Sequence, residues 1–339
     1  MNIQDVAQAA GVSVATVSRV FNLPDKVTPA TRAHVTQVAH ALGYQPNASA
    51  RTLRTQRSRV VGVVLPTLTN PVFAECLEGI ARAAAAAGYA ILPFTTDYRL
   101  DREERAASLL IAGNVDGMIL TVSNPGTSLA LRRLADTGLP YVLVYNRHAE
   151  HPCVSVDGEQ AVAELVARLA SLGHRRIAMV TGQLHASDRA QQRCRGFQRG
   201  MAQAGLGDGT SATVLEVPFV DTAIQSICGL LQARERPTAL VCSNDLLAIR
   251  ALRSAHLAGL SVPRDVSVVG FDGIALGEDL APQLSTVAQP NADLGHASVE
   301  LLVQAMARQA LLPAQASLTL PHAWRAGESC GLAPSGHCQ

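Results

Sequence analysis

The sequence predicts an α/β protein in which a small helical head precedes a two-lobed core built on parallel sheets. Three observations support this prediction. The chain has 339 residues, which suggests two or three domains rather than one. Its first 59 residues carry seven basic and two acidic side chains, whereas the remainder carries 21 basic and 25 acidic ones. From Val60 onward, buried-strand patterns alternate with helical patterns.

The composition is that of a globular chain without a membrane segment. Hydrophobic residues make up 48% and the mean hydropathy is +0.16, which is enough for buried cores. No run approaches 18 apolar residues, and the first five residues lack a signal peptide's basic and apolar regions. The seven cysteines form no C-x-x-C pair, so neither a disulfide framework nor a zinc site is indicated. We expect a cytoplasmic protein without a cofactor.

Helical signals divide the head into three helices. Apolar residues recur at helical spacing over 3–10, and Gly11 permits the turn that ends this helix. Ser13 is a good N-cap for a second helix over 14–21. A third helix is predicted to begin at Thr28 and Pro29 and to stop at Gly43.

Two short helices around a glycine turn are typical of a helix-turn-helix, whose second helix enters the major groove of DNA. An ordinary αα-hairpin is the alternative. The exposed positions of the second helix favour the DNA-binding motif, because Val14, Ala15 and Ser18 are small and Arg19 lies near its end. A basic head on an acidic body also suggests a nucleic-acid module.

The body contains two series of strand and helix patterns. In the first series, the strands are expected at 60–65, 90–93, 117–121 and 141–144, and the helices at 73–87, 101–112 and 127–136. In the second, the strands are expected at 177–181, 213–217, 239–242 and 266–271, and the helices at 159–172, 189–204, 221–233 and 245–257. Such alternation predicts two Rossmann-like lobes that bind ligands at the carboxyl ends of their strands.

Several stretches resemble the LacI/GalR family of transcriptional regulators. In the head they are 3–7, 10–22 and 43–47, and the second helix is most similar to that of galactose-type repressors. In the body they are 61–66, 70–73, 173–177, 193–197, 243–245 and 263–272. The resemblance implies a helix-turn-helix domain over 1–45, a hinge helix or linker over 46–59, and a periplasmic-binding-protein-like (type I) core over 60–339. Lobe 1 would span about 60–156 and 290–320, and lobe 2 about 157–289 and 321–330.

The resemblance also implies a set of DNA-binding residues. Val14, Ala15 and Arg19 would face base edges, where apolar groups suit a thymine methyl and arginine suits guanine. Residues near the phosphates or on the exposed face of the second helix would be Ser13, Thr16, Ser18 and Asn22. Asn47 would cap the hinge helix, and Leu53 would wedge open a base step from the minor groove, flanked by Arg51 and Arg54. Paired hinge helices imply a homodimer on a pseudo-palindromic double-stranded operator.

A small-molecule effector is expected between the lobes. By resemblance, it would contact Asn70, Phe73, Tyr145, Arg189, Arg193, Asn244, Asp272 and Gln289. Arg193 could hold hydroxyl groups or a carboxylate, and Asp272 suits sugar hydroxyls. At Tyr145 the sequence departs from the acidic residue common in the family, and Arg189 adds a second positive charge. A sugar, a sugar acid or another small metabolite is therefore expected, whereas Asp245 has a plainer explanation as a helix cap.

Other classes of protein fit the sequence less well. The only lysine, Lys26, lies in the head, so a P-loop is excluded, and neither G-x-S-x-G nor H-E-x-x-H occurs. His148 and His151 lack a third metal ligand at suitable spacing. A solute-binding protein would not carry a helix-turn-helix. An effector-independent regulator, or one that both activates and represses, remains an alternative to an effector-controlled dimeric repressor without catalytic activity.

Overall fold

The computed structural model describes residues 1–44, 57–207, 213–217 and 223–334. The chain forms two compact units, Met1–Ser58 and Arg59–Gln339, which are called the head and the core below. The hinge residues Asn47, Arg51, Leu53 and Arg54 lie outside the described residues. Their roles therefore stay predictions.

Three helices form the part of the head that the structure describes. They are α1 (Ile3–Ala9), α2 (Val14–Asn22) and α3 (Pro29–Ala41). Each begins at a capping side chain that accepts a hydrogen bond from an amide of the first turn: Asn2, Ser13 and Thr28. Val6, Val17 and Val35, one from each helix, are fully buried in a common core. This shared core fixes the helices against one another.

The first of two sheets described in the core has six strands. They are β1 (Val60–Leu65), β2 (Ala90–Thr95), β3 (Gly117–Leu120), β4 (Tyr141–Val144), β5 (Cys153–Ser155) and β11 (Leu318–Thr319). The order is β11-β5-β4-β3-β1-β2, and every neighbouring pair is parallel. The carboxyl ends of all six strands therefore lie at one edge.

The second sheet repeats this arrangement with one change. Its strands are β6 (Ile177–Thr181), β7 (Val214–Glu216), β8 (Ala239–Cys242), β9 (Ser267–Asp272), β10 (Ser285–Ala288) and β12 (Ala323–Arg325). The order is β12-β10-β9-β8-β6-β7, and only β12 runs antiparallel to its neighbour.

Helices cover both faces of each sheet. Those of the core are α4 (Pro71–Ala86), α5 (Leu100–Ala112), α6 (Leu129–Thr137), α7 (Gly158–Ser171), α8 (Asp188–Gln203), α9 (Ile224–Gln232), α10 (Asp245–Leu257) and α11 (Asn291–Arg308). On the first sheet, α4 and α11 cover the face that carries Val61 and Val63, and α5 and α6 cover the face of Val64. On the second sheet, α7 and α8 lie opposite α9 and α10. Such two-sided burial explains the continuous apolar runs of the strands.

Each sheet with its helices is one lobe, and the described residues of the core cross between the lobes three times. Lobe 1 contains the first sheet, and lobe 2 contains the second. The crossings lie between β5 and α7, between β10 and α11, and between β11 and β12. Both lobes are therefore assembled from separated segments of the chain.

Glycines allow α4 and α11 to pack closely. A Cβ atom at Gly79 would lie 2.1 Å from the carbonyl oxygen of Ala292, and one at Gly295 would lie 2.2 Å from that of Cys76. Real side chains do not approach backbone this closely. The two helices can therefore cross at this distance only because both positions lack a side chain.

Candidate functional site

A small cavity lies between the two lobes, at the carboxyl ends of their strands. Its volume is about 40 Å³. In parallel α/β sheets this edge binds ligands. The lining residues are Asn70, Val72, Phe73, Tyr98, Tyr145, Ser187, Arg189, Ala190, Arg193, Ser243, Asn244, Asp272 and Gln289.

All eight residues assigned to the effector from the sequence line this one cavity. Five lining residues were not predicted: Val72, Tyr98, Ser187, Ala190 and Ser243. The strand-end rule could have found Tyr98, because it follows β2 at the same edge of the sheet as the predicted residues. Contact of any of these side chains with a ligand stays a prediction.

Arg193, on α8, is held in place by three different groups. Its guanidinium lies 3.7 Å from the centre of the Phe271 ring, and Nη1 donates a hydrogen bond to the carbonyl of Ser243. Nη2 lies 3.4 Å from Oδ1 of Asp272. Burial lowers the pKa of Arg193, and the charge of Asp272 opposes this shift. The cation is therefore presented to the cavity in one fixed orientation.

Asp272, at the end of β9, is a buried hydrogen-bond acceptor. Its backbone adopts a conformation that is rare for a residue with a side chain. Its φ is +119°. Gln289 donates to Oδ1 at 2.9 Å, and the side chain of Asn70 is a further hydrogen-bond partner. Burial raises the pKa of Asp272 to about 6, although Arg193 acts in the opposite direction. At neutral pH most of this group is ionised and can accept ligand hydroxyls.

Asp245 supports the turn that carries Asp272. Asn244 is the N-cap of α10, since its Oδ1 accepts from the amide of Leu247 at 2.8 Å. Asp245 instead accepts from Thr286 Oγ1 at 2.6 Å and from the amide of Ile274 at 2.8 Å. Burial raises its pKa to about 7, with a further contribution from Asp272. The plainer explanation of Asp245 as a helix cap is therefore wrong.

Phe73 and Tyr145 form an aromatic wall in lobe 1. Their rings meet edge to face with 5.5 Å between centroids. The Tyr145 hydroxyl donates to the carbonyl of Val72 at 2.9 Å and lies 3.2 Å from Asn291 Oδ1. Burial raises the pKa of Tyr145 well above its usual value. Because the hydroxyl is already bonded within lobe 1, this wall offers ring surface rather than a charged group.

A polar network joins the lobes beside the cavity. In lobe 1, Asn146 bonds both the amide and the carbonyl of Val122, each at 2.8 Å. Its Nδ2 also donates to Asp188 in lobe 2 at 2.7 Å. From lobe 2, Nη1 of Arg189 donates to the Val122 carbonyl at 2.9 Å and to Asp188 Oδ1 at 3.0 Å. A group bound next to Arg189 would therefore act directly on the contact between the lobes.

The head presents a separate surface on α2. Val17 and Val20 are buried, whereas Val14, Ala15 and Arg19 are exposed on another side of the helix.

The uncharged polar side chains in α2 and at its N-cap are hydrogen-bonded within the head. Ser13 Oγ accepts from the Thr16 amide at 3.1 Å and lies 2.9 Å from the hydroxyl of Thr16. Asn22 donates to the carbonyl of Ser18 at 2.7 Å. The exposed side of α2 thus carries two small apolar groups and one cation, which suits a helix inserted into a DNA groove.

The two histidines singled out in the sequence lie together in lobe 1. Their rings, of His148 and His151, are 5.0 Å apart, and Tyr141 Oη lies 2.8 Å from His151 Nδ1. Burial and the neighbouring His148 lower the pKa of His151. In the described parts of the chain, no group of three His, Cys, Asp or Glu residues is placed to hold a metal ion. Nor does any described helix have the length and apolar character needed to cross a membrane.

Comparison with known families gives two matches. The model described as "Bacterial regulatory proteins, lacI family" matches residues 2–47. The model described as "Periplasmic binding protein-like domain" matches residues 166–330. The first match covers the head helices, and the second covers most of lobe 2 and α11.

Similarity to known proteins and to solved structures extends over nearly the whole chain. Catabolite control protein A of Priestia megaterium is 33% identical over 95% of this chain and 97% of its own. The transcriptional repressor CytR of Escherichia coli (strain K12) is 32% identical over 91% of this chain and 90% of its own. A crystal structure of the lac repressor dimer bound to operator and an anti-inducer gives a TM-score of 0.87 at 26% identity, covering 98% of this chain and 99% of that one. The chain belongs to the LacI family of bacterial regulatory proteins.

Proposed function

We propose that this protein is a transcriptional repressor that binds a pseudo-palindromic operator as a homodimer and is controlled by a small molecule held between its lobes. The observation that carries the proposal is the cavity between the lobes, because residues from both lobes meet there around one buried ion pair. The fold resembles that of an operator-bound repressor dimer. As a regulator of bacterial DNA, the protein would act in the cytoplasm and without catalysis.

The exposed side of α2 would read the operator. Val14 and Ala15 would contact thymine methyl groups, and Arg19 would donate to a guanine edge in the major groove. Ser13, Thr16 and Asn22 would lie near phosphates, with Ser18 beside them, and would set the register without reading sequence.

The hinge would act in the minor groove. On the basis of sequence, Asn47 caps a short helix from which Leu53 unstacks a central base step, and Arg51 and Arg54 add phosphate contacts. The cost of unstacking is offset by the contacts that bent DNA permits. Two hinge helices acting together require two chains, which is why a homodimer is proposed.

The effector would be a sugar or a sugar acid. Ionised Asp272 accepts hydrogen bonds from hydroxyl groups, Arg193 donates to their oxygens, and the Phe73 and Tyr145 rings offer an apolar surface to the carbon atoms of the group that enters the cavity. Asn70, Asn244 and Gln289 supply further amides. The fold also resembles that of a transcriptional regulator solved as a complex with cellobiose, with a TM-score of 0.71. This likeness supports a polyhydroxy ligand without naming it.

The ligand would control operator affinity because ligand binding and the angle between the lobes are thermodynamically linked. A ligand that bridges the lobes prefers one relative orientation, and the hinge segments of the two subunits bind DNA well in only one orientation. The ligand changes operator affinity only to the extent that it prefers one of these states.

A binding titration tests the proposal. DNA is first selected from a random pool by the full-length protein, and its affinity is then measured with and without each member of a panel of sugars and sugar acids. A compound that changes the affinity, together with a selected site of two inverted half-sites, supports the proposal. Selection of a single half-site argues against the homodimer, and unchanged affinity with every compound favours an effector-independent regulator.

A further inference from the structure

Arg189 presents a buried donor without a hydrogen-bond partner. Its side chain is only 8% exposed and lines the cavity between the lobes. Nη1 is occupied by the Val122 carbonyl and by Asp188, whereas Nη2 has no partner among the described residues. A buried charged donor without an acceptor is costly, so the site favours a ligand that supplies an acceptor there.

The charges that line the cavity favour a negatively charged acceptor. They are the guanidinium groups of Arg189 and Arg193 and the carboxylate of Asp272. The two cations repel each other, since the charge of Arg189 contributes to lowering the pKa of Arg193. Asp272 is paired with Arg193, and Arg189 faces Asp188 on one side only. An anion beside Arg189 would offset the repulsion and accept from the unpaired Nη2.

The size of the cavity limits this anion to a small group. Its volume of about 40 Å³ holds about three or four water-sized groups, since each needs about 10–15 Å³. A planar carboxylate with its three atoms is of this size, whereas a sugar ring is not. Apart from the carboxylate and an adjacent hydroxyl that can reach Asp272, the ligand must therefore lie outside this inner cavity.

A second, larger chamber, called the outer chamber below, adjoins the inner cavity and can hold the rest of the ligand. It has a volume of about 630 Å³, within the range of small-molecule sites, and shares Asn70, Tyr98 and Asn244 with the inner cavity.

Residues of both lobes line this chamber. Lobe 1 contributes Thr67 and Thr69 and the ion pair of Asp97 with Arg102, and lobe 2 contributes Arg250. These hydroxyl and charged groups suit a polyhydroxy body.

We propose that the effector is a polyhydroxy carboxylic acid whose carboxylate enters the inner cavity and accepts from Nη2 of Arg189, while its hydroxyls reach Asp272 and the outer chamber. The inference rests on the proposed effector function and narrows the ligand to one chemical class. It also explains how the ligand would touch both lobes, because Arg189 is bonded across the boundary to Val122.

The test compares matched acids and alcohols on the full-length protein by calorimetric titration. Each hexonate or hexuronate is paired with the alditol or aldose of the same stereochemistry, and hexose 6-phosphates form a third arm. At least one acid should bind about tenfold or more tightly than its neutral partner, because hydrogen bonds to charged groups are the stronger ones. The comparison needs no variant and so does not depend on the folding of one.

Two variants locate the carboxylate. Arg189→Gln should reduce the acid-to-alcohol affinity ratio to about one, whatever its effect on the affinity for the alcohol alone. Arg195→Gln, at an exposed position on the same helix, should leave the ratio unchanged. Thermal unfolding without ligand checks that both variants fold.

The remaining outcomes separate this inference from the proposed function. Equal binding of acid and alcohol, tighter binding of a sugar phosphate, or no binding of any acid overturns the inference. If a neutral sugar alone then changes operator affinity, the proposed function stands. If an acid binds with the expected preference but leaves operator affinity unchanged, the binding of a carboxylate beside Arg189 stands, whereas effector control is wrong.

Discussion

The amide of Asp188 donates a hydrogen bond to the carbonyl of Ser123 across the boundary between the lobes, at 2.8 Å. The same residue accepts from Asn146 of lobe 1 and from Arg189 of lobe 2. Burial raises the pKa of Asp188, and the charge of Arg189 opposes this shift. The contact that joins the lobes is thus polar and buried, and it adjoins the cavity through Arg189. Any change in its charge balance should alter both stability and ligand response.

Asn146→Asp is expected to destabilise this contact. A carboxylate at position 146 would face Asp188 in place of the donor Nδ2 and would leave the Val122 carbonyl with one donor fewer. The unfolding free energy should fall by about 1–3 kcal/mol at pH 7. The deficit should shrink as the pH is lowered toward 5, because protonation of one carboxyl relieves the repulsion.

Denaturant titrations at several pH values measure this effect. Asn114→Asp, at an exposed loop position, serves as the matched control and should change stability by less than about 0.5 kcal/mol. If Asn146→Asp were as stable as the wild type at pH 7, the contact between the lobes would not be formed as described.

Asp245 should make the protein less stable as the pH rises from about 4 to about 7. Its pKa is about 7 in the folded chain and 3.8 when unperturbed, so in this range the unfolded chain binds fewer protons. Asp245→Asn cannot release this proton. Over the range, the unfolding free energy of the variant should therefore fall less, or rise more, than that of the wild type, by roughly 4 kcal/mol.

Chemical denaturation across this pH range provides the measurement for Asp245. Asp136→Asn, at an exposed position on α6, should follow the wild-type curve. If the unfolding free energy of Asp245→Asn depended on pH as that of the wild type does, the titration could not be assigned to the Asp245 carboxyl.

Arg19→Ala should reduce discrimination among operator sequences. The exposed guanidinium on α2 is proposed to donate to a guanine edge, and a good pair of this kind is worth about 1–3 kcal/mol. At one base pair in each half-site, the preference for guanine should therefore fall by about 5- to 150-fold. Arg32→Ala, exposed on α3, should keep the sequence preference. Affinities for single-base operator variants decide this, and an unchanged preference in Arg19→Ala would exclude the proposed orientation of α2.

Gly79→Ala tests the close crossing of α4 and α11. Its new methyl group would meet the Ala292 carbonyl at 2.1 Å, so the helices must separate at a cost of about 1–3 kcal/mol. Gly229→Ala on α9 is the matched control, since nothing lies within 4 Å of its added methyl group. It should stabilise the protein by about 0.5–1 kcal/mol. Equal thermal unfolding of the two variants would contradict the described packing.

Much of the fold could be predicted because its signals are local. Ser13 and Thr28 cap helices whose apolar residues recur at the right spacing, and the long strands are continuous apolar runs. By contrast, β5, β11 and β12 have only two or three residues, and no continuous apolar run marks them. Helix α11 carries a regular apolar pattern and could have been predicted from it.

The residues that line the candidate site could be predicted from the sequence, but their contacts could not. Resemblance supplied the eight lining residues, yet the part played by Asp245 depends on Thr286, 41 residues away in the sequence. Likewise, Arg189 was predicted only as an additional charge. Its bond to Val122 spans 67 residues and two lobes. Such pairings depend on tertiary packing, and no spacing pattern in a single sequence reveals them.

The most direct test of effector control is the affinity of the full-length protein for its selected operator, titrated with the tightest-binding compound of the panel, in the wild type and in Arg193→Gln. This variant keeps a donor near Ser243 but loses the cation that pairs with Asp272. In the wild type, saturating ligand should change operator affinity about 5–150-fold. Arg193→Gln should bind operator as the wild type does without ligand and should not respond to it. An equal response in both proteins would show that control does not pass through this cavity.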